Sequence, residues 1–478
     1  MKAIHAALIT MLAAWPIFTT QGDERDDRVR SLEQRVEQLE KLLRTGEAKP
    51  IAAAPKTNAA EPPKPSPSLS VGSSGFVMRS ADTNFALRIR GLLQADSRWY
   101  PQDGGIEGND GFFLRRVRPI FEGTIFRDFD FLFTPEFGGS TPVLRDAWLN
   151  YQYSSAFQFR VGKMKPPGGL ERRQSVANIP FIERAMVSGL WPSRDLGVML
   201  HGELWPGAEE DAKRLASEGL VHYAFGAFNG AGDDRAAGNS DFDGDTELAA
   251  RLFFHPFLKT GVQPLRGLGL GVAGTYGHTE GASGLSAGGA YGTEGQQGFF
   301  SYLSGSGTSP ATATVIAHGN HWRVGPQAYW YFGPLGVQGE YGISSQELQR
   351  KDGTLTNERL THQGWMVAAS WLLTGEDASF RAVTPRKNFN PHANGWGALQ
   401  LVTRYSVLDI DNDAFPNFAD PAESATRANA WGVGLNWYLN RNIRTSLDFM
   451  QTDFKGGSSG AVTRQNENVF ITRAQLVF

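Results

Sequence analysis

The chain reads as an all-β protein, a 16-stranded antiparallel transmembrane β-barrel preceded by a short N-terminal coiled-coil helix. Three observations predict this. From residue 84 to the C-terminus the dominant hydrophobic period is two, in segments of roughly ten residues, long enough to cross a bilayer when tilted. Aromatic residues, 12% of the chain, gather near the segment ends as interfacial girdles do. The final residue, Phe478, is in phase with Phe470, Ala474 and Leu476 on one apolar face. A soluble sandwich also alternates; strand length, girdles and the terminal aromatic together turn the apolar face toward lipid.

The N-terminal elements come first. Residues 1–22 read as a secretory signal, with Lys2 ahead of an apolar core from Ala6 to Phe18 that is too short to span a bilayer comfortably. Residues 23–46 carry Val29, Leu32, Val36, Leu39 and Leu43 at spacings of 3 and 4, an a/d seam. About two heptads are marginal alone, but tethering to an oligomeric domain raises their effective concentration. Residues 47–75, rich in Ala, Pro, Lys and Ser, read as a semi-extended linker, and 76–478 as the barrel domain.

Within the barrel, NFALRIRGLLQADSRWY sets Leu87, Ile89, Gly91, Leu93, Ala95 and Trp99 on one face and Arg88, Arg90, Gln94, Asp96 and Arg98 on the other. WGVGLNWYL, NIRTSLDF and VFITRAQLVF repeat the pattern. Sixteen such segments run from 84–99 to 467–478, an even number as bacterial barrels require. Arg127-Asp128, Ser154-Ser155, Phe332-Gly333-Pro334 and Asn440-Arg441 supply tight turns, all on one side of the membrane, whereas 165–194 and 278–318 are long loops on the other. Segment 374–394 breaks the trend, being long on the short-turn side. Sixteen strands are expected to leave an aqueous lumen.

Composition narrows the function. A net charge of −3 lacks the basic excess of a nucleic-acid binder, so no nucleic-acid partner is expected. The absence of cysteine excludes disulfides, thiolate metal sites and cysteine nucleophiles. GLSAG at 284–288 fits a nucleophile-elbow pattern but lies in a Gly/Ser-rich stretch with no helix signal. Asp241, Asp243 and Asp245 begin like a calcium loop, but the glycine falls at the fourth place and Phe253 at the twelfth. His318 and His321 lack a third ligand. No catalytic group, cofactor or metal is therefore expected.

Taken in order, LRIRGLLQAD, FFLRRVRPIFEG, LRDAWLNY, RVGKMKPPGGLE, FIERAM, SRDLGVMLHGEL, FGAFNG, WLLTGED, GALQLVTRYSVLD, LNWYLNRNIR and RAQLVF closely resemble the phosphate-selective porin O and P family across 84–478. The resemblance implies a homotrimeric channel in the bacterial outer membrane, embedded in its lipid, passing phosphate or related anions without catalysis. The heptad helix would then form a three-stranded coiled coil in the periplasm. It also implies that the loop after Lys165 folds into the pore. This chain departs from the family there, with Gly168-Gly169 where an aromatic usually follows the paired prolines. A general-diffusion or carbohydrate porin is the main alternative, although a sugar channel should show an aromatic slide in its lumen. An outer-membrane barrel enzyme is the other, and it would need a nucleophile and base.

An anion channel needs charge-assisted donors to replace hydration, spread over moderate sites rather than one deep trap. Parity sends Arg88, Arg90, Arg116, Arg118 and Arg160 to the lumen, and likewise Arg251, Arg323, Arg404, Arg444 and Arg473, whose expected role is a solvated wall with local ion pairs. Lys163 and Lys165 join the anion-binding set by resemblance, since Pro166-Pro167 breaks the strand. Arg115 is ambiguous: strict alternation points it outward, and a bulge near Pro119 would turn it in.

Overall fold

The architecture comes from a computed structural model, which describes residues 66–101, 110–139, 141–215, 219–241, 243–280, 290–304, 313–355, 358–458 and 463–478. The signal segment, the heptad helix, most of the linker and the GLSAG motif lie outside them. The strands are β1 (Ser68–Gly72), β2 (Gly75–Arg79), β3 (Phe85–Trp99), β4 (Gly111–Ile125), β5 (Phe129–Glu136), β6 (Val143–Ser154), β7 (Phe157–Met164), β8 (Asp195–Pro206), β9 (Gly219–Phe228) and β10 (Glu247–Phe254). There follow β11 (Leu268–Thr279), β12 (Tyr291–Gly292), β13 (Gly298–Phe300), β14 (Val315–Phe332), β15 (Leu335–Arg350), β16 (Glu358–Leu372), β17 (Ala398–Asp409), β18 (Ala425–Tyr438), β19 (Ile443–Gly456) and β20 (Glu467–Val477).

β3–β11 and β14–β20 pair antiparallel in sequence order, and β20 returns to β3 with Leu476 opposite Leu93, closing a barrel of 16 strands. Each strand falls on one of the segments read from the alternation. β12 and β13 form a separate ribbon. β1 and β2 make a hairpin on the first half of β3, with Phe76 opposite Ile89, so strand structure begins inside the stretch expected to be linker. At the expected turn between β4 and β5, Phe126 and Arg127 both adopt left-handed backbone (φ 51° and 66°), as the tightest hairpins require.

The alternation sorts chemistry as a lipid-facing barrel must. Leu401 and Tyr405 of β17, and Trp431, Val433 and Leu435 of β18, are exposed, while Gln400, Arg404, Ser406 and Asn436 between them are buried. A soluble protein would show the reverse. On these strands the apolar side chains are thus the exposed ones and the polar side chains the buried ones.

That interior is not the open aqueous lumen the strand count suggests. The chain from Lys165 to Arg194 folds inward, carrying a short helix α1 (Leu170–Arg173) and a 3-10 turn at Met186–Leu190. From the opposite, short-turn end, the long segment after β16 also enters: Phe380 and Val383 pack with Leu170, Phe253, Tyr329 and Tyr331. Phe380 O accepts from Gln174 Nε2 at 2.7 Å, joining the two insertions. This explains why a long connection interrupts the run of tight turns. The space left open lies mainly along β2–β6.

Candidate functional site

The inward loop is tied to the wall by the arginines and amides that parity sends inside. Arg444 Nη1 donates to Ile179 O (3.1 Å), Arg473 Nη1 to Ile182 O (2.7 Å), Arg404 Nη1 to Glu183 O (2.9 Å) and Gln327 Nε2 to Gly168 O (2.8 Å). Asp448 Oδ2 accepts from Ile182 N at 2.6 Å, and Glu340 Oε2 from Leu170 N at 2.6 Å at the start of α1. The later arginines are thus not a solvated wall. A loop buried in a barrel must have its carbonyls satisfied, and a guanidinium with five donors does this well. Arg323 plays the same part for the next loop, donating to Ala231 O (2.9 Å) and pairing with Asp233 (2.7 Å) and Glu247 (2.5 Å).

Gly168-Gly169 receives its aromatic from elsewhere in the loop. Trp191, fully buried, lies over both: a Cβ at Gly168 would meet its Cε3 at 3.0 Å, and one at Gly169 its Cδ1 at 2.5 Å. On the wall side a Cβ at Gly325 would lie 2.8 Å from Cζ2, and one at Gly342 3.4 Å from Nε1. Four glycines therefore make the slot that seats one indole.

Between the loop and β4–β6 lies a cavity of about 400 Å³ lined by Arg115, Arg116, Arg118, Arg145, Arg172, Arg184 and Arg194. They arrive by three routes. Arg116 and Arg118 come from alternation on β4. Arg115 and Arg145 come from bulges. Gln94 pairs with Arg116 and Ala95 with Leu114, which leaves Arg115 as the extra residue of β4. Thr134 pairs with Asp146 and Pro135 with Leu144, which leaves Arg145 extra on β6. Each bulge lets two consecutive charged residues face inward, which a regular strand forbids. Arg172, Arg184 and Arg194 come from the loop.

The positive charge is only partly neutralised. Arg118 Nε pairs with Glu136 Oε2 at 2.5 Å, Arg172 with Asp234 at 2.5 Å and Arg194 with Asp146 at 3.3 Å. Glu183, from the loop, faces four guanidiniums: Arg115 Nε at 2.6 Å, Arg473 at 3.4 Å, and Arg98 and Arg116 at 3.7 Å. Burial pushes its carboxyl upward in pKa, but Arg115, Arg116 and Arg473 outweigh burial and hold it well below the usual carboxylate range. Arg184 is held by carbonyls, those of Glu171 (3.0 Å) and Gln174 (2.9 Å). Among the described residues Arg145 Nε finds no hydrogen-bond partner. Seven guanidiniums thus line one cavity beside the carboxylates of Glu183 and Asp234, with Glu136 and Asp146 paired to Arg118 and Arg194.

The other expected residues lie apart from it. Arg88 and Arg90 share Glu122, at 3.2 and 2.6 Å, and Arg88 borders a second cavity of about 290 Å³ with Arg79, Asp130 and Trp148 at the short-turn end of β2–β6. Arg160 stacks on Trp148 at 4.0 Å and donates to Asn150. Lys163 turns to the loop after β9, bonding Gly238 O (3.2 Å) and Asn239 Oδ1 (3.1 Å). Lys165 is half-buried, donating to Arg173 O and Gln174 O, and desolvation followed by Arg194 and Arg184 pushes its ammonium well below its usual range. Of the seven expected residues, Arg116 and Arg118 line the large cavity. Those that alternation missed, Arg115 and Arg145, had a signal: a charged doublet inside a strand (Arg115-Arg116, Arg145-Asp146) cannot keep both charges off lipid without a bulge.

Residues 87–478 match the family described as Phosphate-selective porin O and P. Porin O of Pseudomonas aeruginosa is 23% identical over 430 residues, covering 84% of this chain and 91% of that protein. Among solved structures, the outer membrane channel DcaP of Acinetobacter baumannii superposes with a TM-score of 0.50 at 10% identity, over 85% of this chain and 100% of that one. OmpT, an outer membrane protein of Vibrio cholerae, gives 0.49 at 10% identity over 83% and 98%. At such identity the likeness to DcaP speaks to the barrel fold alone. The family match spans most of the chain and coincides with the closed barrel, so the chain belongs to the phosphate-selective porin O and P family of outer-membrane channels.

Proposed function

We propose that this barrel conducts phosphate or polyphosphate passively, through the arginine-lined cavity beside β4 and out past Arg88 and Arg90. The observation that carries the reading is the excess of guanidinium over carboxylate around that cavity. Arginine forks replace phosphate hydration bidentately. Glu183, Glu136 and Asp146 keep each site moderate, so an ion can leave as well as enter. The exit continues the same chemistry at lower charge, with Arg79, Arg88 and Arg90 beside Glu122 and Asp130. The working unit in this reading is a homotrimer in outer-membrane lipid. The roles of the charged residues here are those of ion binding, and the reading includes no chemical turnover.

The test is planar-bilayer recording in a salt gradient, with phosphate added as a blocker of chloride current. An anion-selective reversal potential and concentration-dependent block are expected. Arg116→Ala with Arg118→Ala should raise the half-blocking phosphate concentration by about tenfold or more, since one lost charged hydrogen bond costs about 1.5–3 kcal/mol and about 1.4 kcal/mol is tenfold. A cation-selective potential would refute the proposal, and unchanged block would remove these two residues from the route.

A further inference from the structure

Four guanidiniums from three strands converge on one carboxylate that belongs to none of those strands. Arg98 of β3, Arg115 and Arg116 of β4 and Arg473 of β20 all lie within 3.7 Å of the Glu183 carboxylate. Arg115 grips it with both Nε (2.6 Å) and Nη2 (3.2 Å), the two-pronged geometry a guanidinium offers to phosphate. Glu183 also lines the large cavity, so a mobile anion reaching Arg115 and Arg116 meets it there. Its backbone is anchored separately: Arg404 Nη1 holds Glu183 O at 2.9 Å, and Ile182 is held on both sides by Asp448 and Arg473. The side chain can therefore let go of Arg115 without releasing the loop.

We propose that Glu183 is a tethered anion that competes with the permeating one and sets the channel's affinity. This rests on the anion-channel reading above. In the resting state the carboxylate satisfies the arginine fork. An arriving phosphate exchanges with it at Arg115 and Arg116, and the displaced carboxylate then repels the phosphate from the site. The exchange involves no covalent step. It turns what would be a deep trap of four arginines into a moderate, exchangeable site, which conduction requires.

The test is phosphate block of chloride current in the full-length trimer, comparing wild type with Glu183→Gln and Glu183→Asp. Glutamine keeps the length and the acceptor oxygen but removes the charge. Its half-blocking phosphate concentration should fall by about tenfold or more, as expected for removing a like charge a few ångströms away. Phosphate current at saturation should fall with it, because exit slows. Glu183→Asp keeps the charge on a shorter arm and should lie between the two. If the glutamine variant does not assemble, a half-blocking concentration for Glu183→Asp below that of wild type decides the matter. If Glu183 only held the loop in place, both variants would show higher chloride conductance with weaker phosphate block. That outcome, or unchanged block, overturns the proposal while leaving the channel reading intact. A wild type that phosphate does not block would overturn both.

Discussion

Replacing Trp191 by alanine should loosen the first arm of the inward loop. The indole is fully buried and sits in a slot made by Gly168 and Gly169 on the loop and Gly325 and Gly342 on β14 and β15. None of these has a side chain that could move in to fill the space. Truncating a buried aromatic at a site unable to collapse costs about 3–5 kcal/mol. Other ties of this arm to the wall are the bonds Gln327 Nε2 to Gly168 O (2.8 Å), Leu170 N to Glu340 Oε2 (2.6 Å) and the longer Glu171 N to Glu340 Oε1 (3.4 Å), with Arg404 Nη1 3.5 Å from the Glu171 carboxylate. A neutral hydrogen bond contributes about 0.5–1.5 kcal/mol net, and one to a charged group about 1.5–3. The lost packing is thus comparable to the two shorter bonds combined. The arm should leave the wall part of the time, while the 179–183 stretch stays fastened by Arg404, Arg444 and Arg473. Single-channel recording should show larger and noisier conductance with weaker phosphate block, and Trp191→Phe should stay close to wild type. Wild-type conductance and noise in the alanine variant would refute the claim that one indole seats the loop.

Two further outcomes follow from the charges around the cavity. Arg145→Ala should reduce anion selectivity in bilayer recordings without lowering the melting temperature, because among the described residues it forms no ion pair and its Nε has no hydrogen-bond partner; a marked loss of stability would show that Arg145 is structural. Glu183 has its pKa depressed in the folded protein, so the stability it contributes is fully present above its unfolded value of about 4.3 and declines as pH falls from there through the lower folded value. The melting-temperature difference between wild type and Glu183→Gln should therefore stay constant from pH 7 to about 4 and shrink only below that; a difference that already shrinks near pH 5 would contradict the clamp.

Much of this protein is legible from local chemistry. A two-residue period is a direct consequence of the pleat, and one face of a membrane strand must tolerate lipid, so strand number, closure and the inward aim of Arg116, Arg118, Arg251, Arg323, Arg404, Arg444 and Arg473 follow from counting along the chain. The tight turns follow for the same reason. What alternation cannot carry is any residue where the period slips. Arg115 and Arg145 sit at such slips, and their orientation depends on which partner residue a neighbouring strand leaves unpaired, a property of two strands and not of one. Nor can it carry the use made of each inward arginine. Arg404, Arg444 and Arg473 have the same local pattern as Arg116, yet they hold loop carbonyls while Arg116 lines the cavity. That division was decided by the path of residues 165–194 through the barrel. The loop takes its course from long-range contacts, Trp191 in its glycine slot and Glu340 at the start of α1, which join residues far apart in sequence. The sequence alone thus determined the barrel and its charged interior. Only the tertiary structure decided which of those charges are left for a mobile anion, because a guanidinium's partners are set by what folds against it.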